Sequence, residues 1–297
     1  MRTMMAAGGV GCPWFRAFTT DQDPRRGQQA PYPCVVKPAD LNGSRTRADT
    51  PDESAASQLA GALARGGSAA GALHVSGGRF HFSRPEAALE GLLTMGAHRG
   101  SPFDKPDPLD GPFFEETIYV TPSRFPTMCR PPSPVAWRTP RARKLRNRPG
   151  PRRTAAQQRR GPWMLEVAGR SIGGLCSERC ALRCGCVPGG ATPASACGPP
   201  LPSTQRRQRQ RRHDDPHPAA GVLQRVDGVD AARAVPGIEG VEITAKLHYG
   251  LTPLPEGDAY LGFIFARGDA PATVEDALRL AHRQLHFTIL PEFSLDA

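Results

Sequence analysis

The chain has 297 residues, 39% of them of the AVILMFWYC type, with 32 Gly and 32 Pro; the length permits one large or two ordinary domains, and the Gly and Pro excess points to long loops or partial disorder. No stretch approaches the ~18 consecutive apolar residues of a membrane helix, and Gly8, Gly9, Gly11 and Pro13 break the apolar start before a secretory core forms, so the expectation is a soluble, cytoplasmic chain without a membrane partner. The net charge of +10 is uneven: residues 124–212 carry 20 Lys and Arg against only Glu166 and Glu178, which leaves an acidic remainder around a basic insert.

In chain order, four stretches carry folding signals. Residues 10–53 hold a β-branched strand at 32–38, followed by the loop Asn42-Gly43-Ser44. Residues 86–124 hold an apolar run at 88–93, the string FDKP at 103–106 and a strand over 114–120. Residues 161–177 read as a buried strand from Trp163 that carries one acid, Glu166, and is followed by Arg170. From residue 219 onward the pattern predicts a strand at 260–266 and a helix with Val274, Leu278, Ala281 and Leu285 on one stripe, opened by a Thr273–Asp276 capping box. Strands alternating with helices give an α+β or α/β class. Segments 55–85, 125–160 and 178–218 separate these stretches; the last two are rich in Arg, Pro, Gln and Cys, show neither helical nor strand periodicity, and are expected to be irregular.

Four of the eight cysteines fall at Cys176, Cys180, Cys184 and Cys186. That C-x3-C-x3-C-x-C spacing matches no common zinc site, so free thiols are the simpler reading. Neither GxxxxGK nor GxGxxG occurs, so a phosphate device of either kind is excluded.

The strings PYPCVVKPADLNGSR, FDKPDPLDGPFFEETIYVTPSR, GPWMLEVAGRSIGGL and PLPEGDAYLGFIFA, in this order, resemble the ATP-grasp ligases of the carboxylate–amine type, related to biotin carboxylase and the L-amino acid ligases. The resemblance implies a partial ATP-grasp fold of class α+β, two lobes around a nucleotide cleft, interrupted by irregular basic segments. It implies an ATP-grasp domain over 1–218 and a C-terminal α+β subdomain over 219–297. It also implies a chain shortened at its N-terminus, because the family carries a domain of some hundred residues ahead of the strand that here holds Lys37.

The family places a second metal glutamate just upstream of the strand carrying Glu166, in a motif like GPVHAEL, where this chain has Arg and Pro. For one choice of synonymous codons, RNRPGPRRTAAQQRR at 146–160 reads GTGPVHAELRLNNAG one base later. RQRQRRHDDPHP at 207–218 reads GNASGVMMIPIP with the same offset. The expectation is that these segments are translated out of frame and that their Arg, Cys and His, including His213 and His217, carry no designed chemistry. His282 and His286 are read as helix surface.

By the same resemblance the protein activates a carboxylate as an acyl phosphate with ATP and Mg²⁺, for attack by an amine or another nucleophile. Lys37 would lie on the α and β phosphates, with the backbone N–H groups of Asn42, Gly43 and Ser44 closing over them. Lys105 would face phosphate or substrate, Glu116 and Glu166 would hold the metal, and Arg170 would bind the acyl phosphate with its planar fork. Tyr119 stands where some relatives have His, and the loop runs from Ser44 straight into Arg45 and Arg47 where the family has Gly and β-branched residues, so impaired activity is expected. Partners would be a small carboxylate and an amine, with a homodimer as the state common among relatives. Rival classes are a basic nucleic-acid-binding protein using 130–212, which lacks the aromatics such binding favours, a zinc protein using the Cys run, and a non-functional remnant.

Overall fold

A computed structural model of the chain describes residues 2–19, 31, 34–38, 48–50, 72–77, 86–94, 97–105, 117–121, 147–149, 152–157, 161–167, 175, 210–213, 220–252 and 260–291. After a short helix α1 (Arg2–Ala7), the described strands form three antiparallel sheets. The first has four strands, β1 (Trp14–Thr19), β2 (Cys34–Pro38), β3 (Ala48–Thr50) and β4 (Ala72–Gly77), in the order β1-β4-β2-β3. The β-branched pair Val35 and Val36 suits an extended backbone, and the neighbouring Cys34 is fully buried.

The second sheet contains β5 (Glu86–Thr94), β6 (Ala97–Lys105), β7 (Ile118–Val120), β8 (Asn147–Pro149), β9 (Arg152–Gln157), β10 (Gly161–Val167), β11 (Gln210–His213), β13 (Ile238–Ile243) and β15 (Gly262–Arg267). Its order is β10-β9-β5-β6-β7-β11-β15-β13, with β8 paired to β5. The third is small: β12 (Gly221–Asp227) lies between β14 (Gly250–Leu251) and β16 (His286–Leu290). In β16 the alternation of Phe287 and Ile289 with exposed neighbours marks a half-buried strand.

Two helices close the C-terminal part, α2 (Val229–Arg233) and α3 (Pro271–His282). Val274, Leu278 and Ala281 fall four and three apart, so they share one stripe of α3. That stripe packs with Ile264 and Ala266 of β15, Val241 of β13, Ala232 of α2, and Ile118 and Val120 of β7. A second cluster joins Leu223, Leu251 and Leu261. Gly228 precedes α2 at φ 80°, and a Cβ there would run into the Gln284 carbonyl, so the turn requires glycine.

Two expectations need correction. The Thr273–Asp276 capping box does not form: the cap is Ala270, without a side-chain hydrogen bond, and Pro271 occupies the first helical position. The fixed φ of proline is pre-organised for that position, which starts the helix early enough to leave Thr273 inside it. The segments expected to be irregular also contribute strands: β4 lies within 55–85, β8 and β9 within 125–160, and β11 within 178–218. Ladder hydrogen bonds use main-chain groups that nearly every residue owns, so neighbouring strands can recruit a segment without side-chain periodicity. The remainder of those segments lies outside the described residues.

Candidate nucleotide site

Lys37 lies in β2, directly opposite His74 of β4. The triplet Asn42, Gly43 and Ser44 falls in sequence between β2 and β3, outside the described residues, as do Glu116 and Arg170. Lys105 ends β6 and Glu166 lies in β10, so the structure carries these two on the nine-stranded sheet and Lys37 on the four-stranded one.

Strand register relates Lys105 to Glu166. One row across the sheet runs Phe103, Ala88, Arg153, Glu166, and a second runs Lys105, Glu86, Ala155, Trp163. Residues two apart on a strand share a face, and residues opposite in a ladder do so as well. Lys105, Glu86, Arg153 and Glu166 therefore occupy positions on one face, with the charge alternating from strand to strand.

β10 departs from regular pairing between Met164 and Glu166. Met164 and Leu165 are adjacent in sequence and both buried, at the point where the bulge lets one strand set neighbouring residues against the sheet differently. The N-terminal segment runs along this strand: the Met164 N–H donates to the Gly11 carbonyl at 2.8 Å, and Arg2 Nε donates to the Leu165 carbonyl at 3.2 Å. Beside it, burial pushes the Cys12 thiol above its ordinary range, with the Arg2 charge pulling the other way.

Cys12 and Cys34 take part in no disulfide, while the run at Cys176, Cys180, Cys184 and Cys186 lies outside the described residues. Among the described residues no group of three His, Cys, Asp or Glu could hold a metal. Tyr119 is buried in β7. His213 lies in β11 and His286 begins β16, while His282 lines a shallow apolar cleft with Val241, Phe263, Leu285 and Phe287. The other lining residues are apolar or glycine, so the cleft offers phosphates no acid or base beyond this imidazole. Among the described residues no helix is long and apolar enough to cross a membrane.

Sequence reasoning singled out neither Arg153 nor Glu86. For Arg153 the signal was present: in the shifted reading of 146–160 the glutamate of GPVHAEL is the eighth letter and falls on position 153. Glu86 could be found only through the register of β5 against β6.

This architecture has the fold of the ATP-grasp proteins. It is similar to the L-amino acid ligase from Bacillus licheniformis at TM-score 0.79 and 19% identity, over 97% of this chain and 72% of that one. The N5-carboxyaminoimidazole ribonucleotide synthetase from Thermotoga maritima follows at 0.67 and 12%, over 97% and 71%. The biotin carboxylase domain of Hydrogenobacter thermophilus 2-oxoglutarate carboxylase, solved with MgADP, ADP and bicarbonate, gives 0.65 and 15%, over 97% and 65%. Residues 216–289 match the family model of L-amino acid ligase C-terminal domain 2. No curated protein matches the chain by sequence.

Proposed function

We propose that the chain is an ATP-dependent ligase of the carboxylate–amine type, impaired in this form. A carboxylate oxygen attacks the γ-phosphorus of ATP, giving an acyl phosphate and ADP, and an amine then attacks the acyl carbon and expels phosphate. The match of residues 216–289 to L-amino acid ligase C-terminal domain 2 carries this reading.

Phosphoryl transfer is chiefly positioning and charge stabilisation. Lys37, at a strand end, supplies a point charge for the nucleotide phosphates, Asn42, Gly43 and Ser44 supply backbone donors, and Arg170 supplies a bidentate fork for the acyl phosphate. Lys105 has the acid Glu86 directly opposite in the ladder, a placement in which opposite charges stabilise each other; its role toward phosphate is secondary. The substrates are a small carboxylate and an amine, the compartment is the cytoplasm and the working state a homodimer.

Magnesium, which the fold family implies with Glu116 and Glu166 as its carboxylates, does not fit the position beside Glu166, because the residue opposite is Arg153. A guanidinium has donors only and no lone pair for a cation. Equilibrium dialysis of ATP against the chain and against Lys37→Ala, with ADP release assayed with both substrates or either alone, tests the function. Weak ATP binding that is lost in Lys37→Ala, with little turnover, is expected. Unchanged binding in Lys37→Ala, or no ATP binding even with 146–160 and 207–218 replaced by their shifted readings, would overturn it.

A further inference from the structure

We infer that an arginine at position 153, opposite Glu166 in the β9–β10 ladder, closes that row of the sheet to a divalent cation. The inference rests on the ligase reading only in treating Glu166 as the carboxylate that faces the nucleotide.

Directly opposite residues of an antiparallel pair have Cβ atoms about 5 Å apart. Two carboxylates at such a spacing can share one divalent ion with oxygens at roughly 2.1 Å, the arrangement magnesium takes with phosphates and water completing its shell. In the register Arg153 pairs with Glu166 on one side and Ala88 on the other, and Ala88 pairs with Phe103. Glu166 is thus the only acid in its row, and the residue facing it brings positive charge. The next row on this face repeats the compensation, with Lys105 opposite Glu86. Farther along the same face Glu90 stands opposite Ser101, so this compensation is local to the two rows.

The shifted reading reverses this. Over 152–157 the chain as written gives R-R-T-A-A-Q, without alternation, whereas one base later the same positions read A-E-L-R-L-N. The second string alternates with period two, as a half-buried strand does, with leucines on one face. On the other face it sets a glutamate opposite Glu166 and an arginine opposite Glu86. The register pairs position 153 with Glu166, and position 153 is where the shifted reading has its glutamate.

Binding of Mn²⁺ alone, followed by electron paramagnetic resonance on the full chain, tests the inference with wild type, Arg153→Gln, Arg153→Glu and Arg153→Glu combined with Glu166→Gln. Affinity should rise at least tenfold in Arg153→Glu, less in Arg153→Gln, and fall back in the double variant. Wild type binding Mn²⁺ as tightly as Arg153→Glu overturns the inference. So does a folded Arg153→Gln that binds no better than wild type, which remains decisive if Arg153→Glu fails to fold. ATP dialysis on the same proteins separates the two claims. Gained Mn²⁺ with no ATP binding even after 146–160 and 207–218 are replaced by their shifted readings removes the ligase reading and leaves the role of Arg153 intact; ATP binding without gained Mn²⁺ does the reverse.

Discussion

β11 and β15 are hydrogen-bonded neighbours in one sheet, pairing Gln210 with Arg267, Arg211 with Ala266, Arg212 with Phe265 and His213 with Ile264. β15 reads G-F-I-F-A-R, and Phe263, Ile264, Phe265 and Ala266 are all buried. On the other side of β11 lies β7, whose Ile118, Tyr119 and Val120 are buried too. Between two apolar strands the sequence sets Q-R-R-H, whose two arginines are of a type almost never fully buried unless paired. In the C-terminal part, by contrast, turn, pattern and core agree: Gly228 sits where φ is positive, the α3 stripe meets β15, and the exposed charges pair, Arg233 with Asp230 at 3.2 Å and Arg267 with Glu239. Agreement across levels marks a sequence shaped for its fold, and conflict between local residue type and global position marks one that was not. One base later 210–213 reads S-G-V-M, which fits the apolar setting that Q-R-R-H contradicts.

The largest effect should fall in the consistent region. Leu278 is fully buried at the centre of the α3 stripe, so Leu278→Ala should cost about 2–5 kcal/mol in urea unfolding. A loss under about 1 kcal/mol, the scale of an exposed substitution, would show that the core of 220–291 is looser than the contrast requires. Next comes a gain in the inconsistent region. Arg212→Val, the residue of the shifted reading, should stabilise the chain by up to about 1 kcal/mol, because a β-branched residue suits a strand position better than most others do. An unchanged midpoint would mean that β11 lies outside the cooperative unit and that the comparison with β15 does not hold.

Legibility followed the same division. β2, β15 and α3 were readable because Val35 and Val36, the F-I-F-A run and the spacing of Val274, Leu278 and Ala281 each announce their element. β16 was missed although Phe287 and Ile289 alternate with His286, Thr288 and Leu290, because five residues give a weak period and both ends are atypical. β9 and β11 were illegible as written, since their residues have no period and their place follows from pairing with neighbouring strands. Of the site, the types Lys37, Lys105 and Glu166 could be named from the sequence, but the row joining Arg153 to Glu166 depends on strand register and on the irregularity after Met164, which residue types alone do not specify.

A smaller loss tests the turns of the consistent region. Gly228→Ala places a β-carbon at φ 80° against the Gln284 carbonyl, and a left-handed conformation costs an L-residue roughly 1–2 kcal/mol before any clash. Thermal unfolding should move down by several degrees. A neutral result would mean that the link between β12 and α2 relaxes freely, which would weaken the claim that 220–291 is specified at every level.

The smallest effect asks on which side of the comparison β10 falls. Its residues belong to an in-frame stretch, but its partner β9 does not, and the described contacts on its other side come from the N-terminal segment through Gly11 and Arg2. Cys12 reports on that docking, because burial raises its thiol pKa while the Arg2 charge only partly offsets this. A raised pKa means that the folded chain keeps the proton to higher pH than the unfolded chain does. The resulting contribution to stability is complete below the unfolded cysteine value of about 8.5 and is lost as pH rises through the folded value. Alkylation of Cys12 at pH 8–9 should therefore be slower in the native chain than in urea, and Arg2→Ala should slow it further by removing the charge that favours the thiolate. Equal rates in native and unfolded chains would show that the N-terminal segment is not held on β10, and that β10 shares the weak support of β9 rather than the packing of the C-terminal part.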